Sequence, residues 1–385
     1  MTVEQHEIHG HVAAGFEQVA EAFRANFRER GELGAAFAAL RDGELVVDLW
    51  GGVADADSGR PWTRDTLALV FSGTKGLAAA ALLTLVERGA LELDQPVARY
   101  WPEFGAAGKE RVRVRDVLGH ATGLPAFREP IAPEDLLDPE RIETLLAAQE
   151  PLMEPGVGAR YHAITWGWLA NALARRVDGR TIGRLFADEV ATPLGLDAWI
   201  GLPAEHEERV ATLRRGATWT DPSTLPHADP ITRLKATNPA LYTDASFPRW
   251  NAREVHAAEI ASANGIATAR SLARLYGCLA RGGELDGVRI LSQETVALAR
   301  SELTRGEEMP GVEIAFGAGF WRQTSLGTFG APADAFGFPG AGGSNHAAWP
   351  SERVGFSYAM NEMRNQEAID ARSKALLDAL HRAVT

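Results

Sequence analysis

The stretch Phe71–Gly89, "FSGTKGLAAAALLTLVERG", constrains this chain more than any other. Nearly every residue in it is apolar or small, with no polar face. A helix that is apolar all round is a buried helix, and Gly89 is a suitable residue to end it. Lys75 interrupts the pattern one turn in, three residues after Ser72. A buried ammonium is costly unless it is paired or gives up its proton. The chain uses lysine sparingly: Lys75, Lys109, Lys235 and Lys374 are its only four, among 39 basic residues. Arginine cannot release its proton in a protein but lysine can, so a lysine in this place points to a titratable amine.

The flanking patterns suggest how such a helix is enclosed. Phe16, Val19, Phe23 and Phe27 recur at helical spacing, which predicts a helix over 12–29. "RDG" between "GAAFAAL" and "ELVVDLW" reads as a hairpin. From 90 to 285 the pattern is mainly helical, with helices predicted over 141–149, 163–177, 182–191 (Thr181 as N-cap) and 269–281 (Thr268 as N-cap). Residues 202–250 have weak periodicity and read as a long ordered loop over a functional cleft. Extended patterns return in "VEIAFGAGFWRQT", "SNHAAW" and "VGFSYAMN", the last two joined by the turn "PSER", and a helix closes the chain over 366–382. The expected fold is α+β: a mostly antiparallel sheet flanked by terminal helices, with a mostly helical lobe inserted. The expected division is one lobe from 1–90 and 286–385 and a second from 91–285.

Charge and composition exclude several functions. The chain has 385 residues and a formal net charge of −12, which argues against nucleic acid or an anionic membrane as partner. A single cysteine, Cys278, rules out an internal disulfide framework, and its apolar helical setting reads as a buried, inert thiol. His6, His9 and His11 lie close together but lack the HExxH spacing, so they read as a solvated segment rather than a metal site. The first sixteen residues lack a positive segment followed by an apolar one, and no uncharged apolar run would span a bilayer. The expectation is a soluble cytoplasmic protein with no metal and no cofactor. Oligomeric state is not legible.

A serine hydroxyl is a poor nucleophile at neutral pH without a base in hydrogen-bond reach. Residues i and i+3 share one helix face, so Ser72 and Lys75 meet without help from the rest of the fold. If Ser72 opens the helix, the free amides and the dipole there also favour an oxyanion. From the tetrapeptide alone, an N-capping serine and a snorkelling lysine explain the pattern equally well.

S-x-x-K opening a helix resembles the serine β-lactamase and penicillin-binding-protein superfamily. Two more blocks agree in order and spacing. "PGVGARYHAITWGWLA" resembles the class C type of second motif, with Tyr161 on its tyrosine, and "FGFPGAGGSNHAAWP" resembles the third, a glycine-rich strand. "DVLGHATGLP" and "VATPLGL" add to the likeness, which runs from about residue 15 to 380. Within the superfamily the chain is most similar to family VIII carboxylesterases. The resemblance implies a small-molecule ester substrate, Ser72 as nucleophile, Lys75 and Tyr161 as proton-transfer partners, and an oxyanion hole from the backbone N–H groups of Ser72 and Ala341. It also points to Phe127, His162, Phe338, Gly340 and His346 around the pocket, although His162 reads more naturally as a structural histidine.

Two departures from the class C pattern bear on substrate. Ala163 stands where the second motif has Asn, and Phe338-Pro339-Gly340 stand where the third has Lys-Thr-Gly. The amide and cation that help hold a β-lactam are missing from their usual places, which favours esters, unless Arg322 or another arginine supplies the charge. Rival readings are a β-lactamase or D-alanyl peptidase on the same fold, a non-catalytic scaffold, and an α/β-hydrolase. The last would need G-x-S-x-G, whereas "GGSNH" around Ser344 ends in histidine.

Overall fold

The computed structural model describes residues 7–224, 226, 229–241, 243, 247–364 and 369–385. The main elements, in chain order, are β1 (Ile8–Val12), α1 (Glu17–Glu29), β2 (Gly34–Arg41), β3 (Glu44–Asp55), α2 (Thr74–Glu87), α3 (Pro139–Ala148), α4 (Thr165–Asp178), α5 (Pro230–Thr237), α6 (Ala269–Ala280), β4 (Thr304–Met309), β5 (Val312–Phe316), β6 (Trp321–Arg322), β7 (Phe336–Pro339), β8 (Asn345–Trp349), β9 (Val354–Met360) and α7 (Ala371–Val384). The strands form one antiparallel sheet in the order β1-β3-β2-β9-β8-β7-β6-β5-β4, with Arg60–Pro61 pairing on β3. The fold is α+β, as expected.

Strand β2 shows why the sheet is covered on both sides. Ala35, Phe37 and Ala39 pack with Phe23 of α1 and Leu376 and Leu380 of α7. Ala38 and Leu40, on the opposite face, join the cluster containing α2, α4 and α6. The alternation of side chains along a strand supplies two apolar faces. Helix α6 sits so close to β9 that a Cβ on Gly355 would lie 1.9 Å from the Gly277 nitrogen. Helix α2 is buried along Thr74–Leu85, on all sides, as its composition requires.

Several boundaries differ from the sequence reading. The first helix starts at Glu17, because residues 8–12 pair with β3 as an edge strand. That strand exposes most of its side chains, so it carries little apolar alternation to read. His9 and His11 lie on it, His6 is outside the described residues, and among the described residues no cluster forms a metal site. The "RDG" hairpin forms, with Asp42 and Gly43 both left-handed as a two-residue turn demands. "VEIAFGAGFWRQT" is not one strand. Gly317–Phe320 loop out between β5 and β6, and Gly319 at φ 84 packs against Ala79 of α2. The helix expected over 182–191 forms, as α over Ile182–Phe186 and as π over Ala187–Ala191, and runs on to Leu194. Thr181 and Thr268 cap their helices as read. The last helix begins at Ala371; the expected residues 366–368 lie outside the described residues.

Candidate active site

The chain reaches Ser72 through a strained turn. Phe71 adopts a left-handed φ of 43°, unusual for a bulky residue, and packs its ring on Trp250. Gly73 is the N-cap and α2 begins at Thr74, so Ser72 stands just ahead of the helix rather than within it. Lys75 still lies one turn on, with its N–H donating to the Ser72 carbonyl at 3.0 Å.

The Lys75 ammonium position is fully buried. Its Nζ lies 3.3 Å from Ser72 Oγ, 2.7 Å from the Ala163 carbonyl and 3.0 Å from the Ser262 carbonyl. Burial pushes its pKa well below the usual lysine value. A neutral amine has two N–H groups and one lone pair. The two carbonyls can only accept, so they take both N–H groups and leave the lone pair facing the serine hydroxyl. Tyr161 Oη donates to the same Ser72 Oγ at 2.6 Å. An amine and a phenol hydroxyl thus converge on one oxygen.

Tyr161 is held from several directions. Its ring packs against Phe316 and Trp321, with centroids 6.3 and 5.4 Å away. Its backbone N–H donates to Glu308 Oε2 at 3.0 Å, and its carbonyl accepts from Lys235 Nζ at 3.3 Å. His120 braces the residues on either side: its carbonyl takes the Arg160 N–H at 3.0 Å and its Nδ1 takes the His162 N–H at 3.1 Å.

A cavity of about 540 Å³ opens beside Ser72 and Tyr161. Trp219, Pro222, Met309, Val312, Trp321 and Leu326 line it with apolar side chains, together with Pro339, Gly340 and Ala341 of the glycine-rich segment. Among the described residues no lysine, arginine or histidine lines it. Its two carboxylates are already paired, Glu308 with Lys235 and Asp370 with Arg372. Arg322 is committed elsewhere, to Glu302 and the Arg300 carbonyl.

The structure gathers Ser72, Lys75, Tyr161, Gly340 and Ala341 at one place, and moves four of the named pocket residues behind it. Phe127 packs edge-on against Trp168 and does not line the cavity. His162 is buried, with Nε2 on the Thr122 hydroxyl and Nδ1 on the Arg160 carbonyl; burial lowers its pKa to about 3, so it is a neutral structural group. Phe338 points under the site, with its ring 5.5 Å from Lys75 Nζ. The expectation that it meets the substrate is corrected: the strand pleat turns it into an apolar cluster with Ile314 and Phe316, and Pro339 faces the cavity instead. His346, its Nδ1 on the Ser357 hydroxyl at 2.7 Å, backs onto Gly73 and not the cavity. Ser344 precedes a strand, not a helix, and its Oγ has no hydrogen-bond partner among the described residues, which is not the setting of a nucleophile elbow.

Sequence reasoning missed Glu308, Lys235, His120 and the Ser262 carbonyl. A backbone carbonyl leaves no signature. Lys235 did carry one, as one of only four lysines. The segment 202–250, read as a loop over a cleft, supplies Trp219 and Pro222 to the cavity and Lys235 to Tyr161. Among the described residues no helix is long and apolar enough to cross a membrane.

Comparison with known proteins gives the chain's family and fold. The sequence profile of the family described as Beta-lactamase matches residues 18–380. "Esterase/beta-lactamase LipL" of Mycobacterium tuberculosis is 38% identical over 357 residues, covering 90% of this chain and 80% of LipL. A crystal structure of a family VIII carboxylesterase superposes with a TM-score of 0.89 at 40% identity, covering 98% of this chain and 100% of that one. A penicillin-binding protein homologue from Caulobacter crescentus gives a TM-score of 0.89 at 41% identity with the same coverage. The fold is β-lactamase-like, and the likeness seen in the three motifs extends through the whole chain: this protein belongs to the beta-lactamase family.

Proposed function

We propose that this protein is a carboxylesterase that cleaves short, uncharged esters through an acyl-enzyme on Ser72. The observation that carries the reading is the convergence of Lys75 Nζ and Tyr161 Oη on Ser72 Oγ. Lys75 takes the hydroxyl proton as Oγ bonds to the ester carbonyl carbon. The carbonyl oxygen, now negative, is received by the backbone N–H groups of Ser72 and Ala341, both beside the cavity. Tyr161 passes the proton to the departing alkoxide as the C–O bond breaks. Water then attacks the acyl-serine, and the same groups act in reverse.

The cavity supports an uncharged substrate. Most β-lactams carry a carboxylate, and binding it calls for a matched cation or donors. Here the described lining offers no cation. The missing charge-assisted hydrogen bond is worth about 1.5–3 kcal/mol, or roughly a tenfold to hundredfold discrimination. The name of LipL keeps β-lactam hydrolysis as a second reading. The test is kcat/KM for a short acyl ester and for a cephalosporin on one preparation. The expected ratio favours the ester by at least about tenfold; comparable values would replace the esterase reading with the lactamase one.

A further inference from the structure

The four lysines divide unevenly. Lys109 is buried against the Ala106 and Gln149 carbonyls, where it braces a loop, and Lys374 pairs with Asp378 on the surface. Lys75 is at the nucleophile. Lys235 remains, on α5, in the long segment far in sequence from every motif. Its side chain is only 13% exposed. It forms an ion pair with Glu308 and donates to the Tyr161 carbonyl at 3.3 Å. Glu308, on β4, accepts the Tyr161 N–H at 3.0 Å. One ion pair therefore grips both backbone polar groups of the residue whose hydroxyl reaches Ser72. Arg160 extends the network, with Nε 3.5 Å from Glu308 and Nη2 2.7 Å from Asp229, the residue that caps α5. Charges alternate along the row Asp229, Arg160, Glu308, Lys235, so each is compensated. Burial pulls the Lys235 pKa down while Glu308 acts to raise it.

We infer that Lys235 and Glu308 are positioning residues for catalysis: the ion pair between α5 and β4 is a clamp that fixes Tyr161 at hydrogen-bonding distance from the nucleophile. The 202–250 segment is thereby part of the catalytic apparatus as well as a side of the pocket. A neutral scaffold of the same shape would hold the phenol less firmly, because charge-assisted hydrogen bonds are shorter and stronger than neutral ones. A loosened Tyr161 loses rate, since a misplacement near 1 Å costs on the order of a hundredfold. This inference rests on the proposed role of Tyr161.

Lys235 gives the cleaner test because, unlike Glu308, it does not line the cavity. A change at Lys235 removes its contacts to the Tyr161 carbonyl and Glu308 without altering the cavity lining. In Lys235→Met, kcat for a short apolar ester is expected to fall at least about tenfold while KM stays within about twofold. The rate of Ser72 labelling by a fluorophosphonate should fall in parallel. A folded Lys235→Met protein with kcat and labelling within about twofold of the parent overturns the clamp. If that variant does not fold, Glu308→Gln serves. It keeps a carbonyl acceptor for the Tyr161 N–H but removes the ion pair, and the clamp requires the same drop in kcat; parental kcat refutes it. Tyr161→Phe, measured alongside, separates the two claims. If it is inactive while the clamp variants are normal, only the clamp fails; if it is fully active, the proposed role of Tyr161 fails first.

Discussion

Gly73 sits between Ser72, the proposed nucleophile, and a wall that cannot retreat, which makes Gly73→Ala a sharp probe of how finely Ser72 is placed. The backbone there is helical, φ −52° and ψ −27°, so alanine meets no conformational objection. Space is the difficulty. A Cβ would lie 2.6 Å from His346 Cδ2, 2.9 Å from its Nε2 and 3.0 Å from the Val70 carbonyl oxygen. The His346 ring is buried, bonded to Ser357, and carried on a central strand paired on both sides. The Ser72–Gly73 turn must therefore yield, by about 0.8 Å to reach an ordinary contact. The Tyr161–Ser72 bond, 2.6 Å now, would stretch past the roughly 3.0 Å limit for hydroxyl pairs. The expected result is a loss of about a hundredfold in kcat, with a stability cost of about 1–3 kcal/mol from overpacking. Turnover of a 4-nitrophenyl ester and thermal unfolding on the same samples read both. Adding His346→Ala to Gly73→Ala removes the obstruction and should recover a large part of the lost rate, a non-additive pair. If Gly73→Ala alone kept activity within about threefold, the reasoning that Ser72 is held by this contact would be refuted.

Three further predictions concern the buried charges. Lys75→Arg should abolish turnover despite keeping the charge. In the parent enzyme kcat/KM should rise with pH through the lowered Lys75 pKa, because only the neutral amine is a base. His162 and His346, both held near 3, cannot supply that limb; an acid limb unchanged in an active Lys75 variant would remove lysine from the role. Arg372 is buried against Glu32 and Asp370 and donates to the Gly342 carbonyl at 3.0 Å, next to Ala341. Arg372→Met should cost about 3–5 kcal/mol in unfolding free energy by stranding two buried carboxylates, and a melt within a degree of the parent would contradict this.

The parts of the site that lie close in sequence were the legible ones. Ser72 and Lys75 announce themselves because they lie three residues apart, and the turn that leads into α2 brings them together. Tyr161 and Ala341 needed the family resemblance, since nothing local says that residues so distant in sequence line one cavity. The Phe338 error came from treating a motif position as a contact. Its strand parity turns it under Lys75, and parity follows from register, which sequence did not set here. The acceptors that shape Lys75 are the Ala163 and Ser262 carbonyls, groups that every residue possesses. The lysine count did mark Lys235, but only the fold brings α5 to Tyr161.

The order of strands also bears on how the protein is made. Strand β2 lies between β3, its hairpin partner, and β9, so Ala35 pairs with Met360. At about 5–20 residues per second, roughly 16–65 s separate the synthesis of those two partners. Through that interval β2 offers an unpaired edge, the kind that invites association between chains. A nascent chain that already holds Ser72, Lys75 and Tyr161 has no finished site, because Ala341 and the strands beside it come last. Contacts so distant in sequence make for slow folding. Helices α1 and α7 lie against the same face of the sheet. A circular permutant with the old ends joined and new ends opened in a surface loop elsewhere would place β9 and β2 close together in the chain. The same native pairing would then close a much shorter loop, and the sheet could assemble sooner without any change in the residues around Ser72.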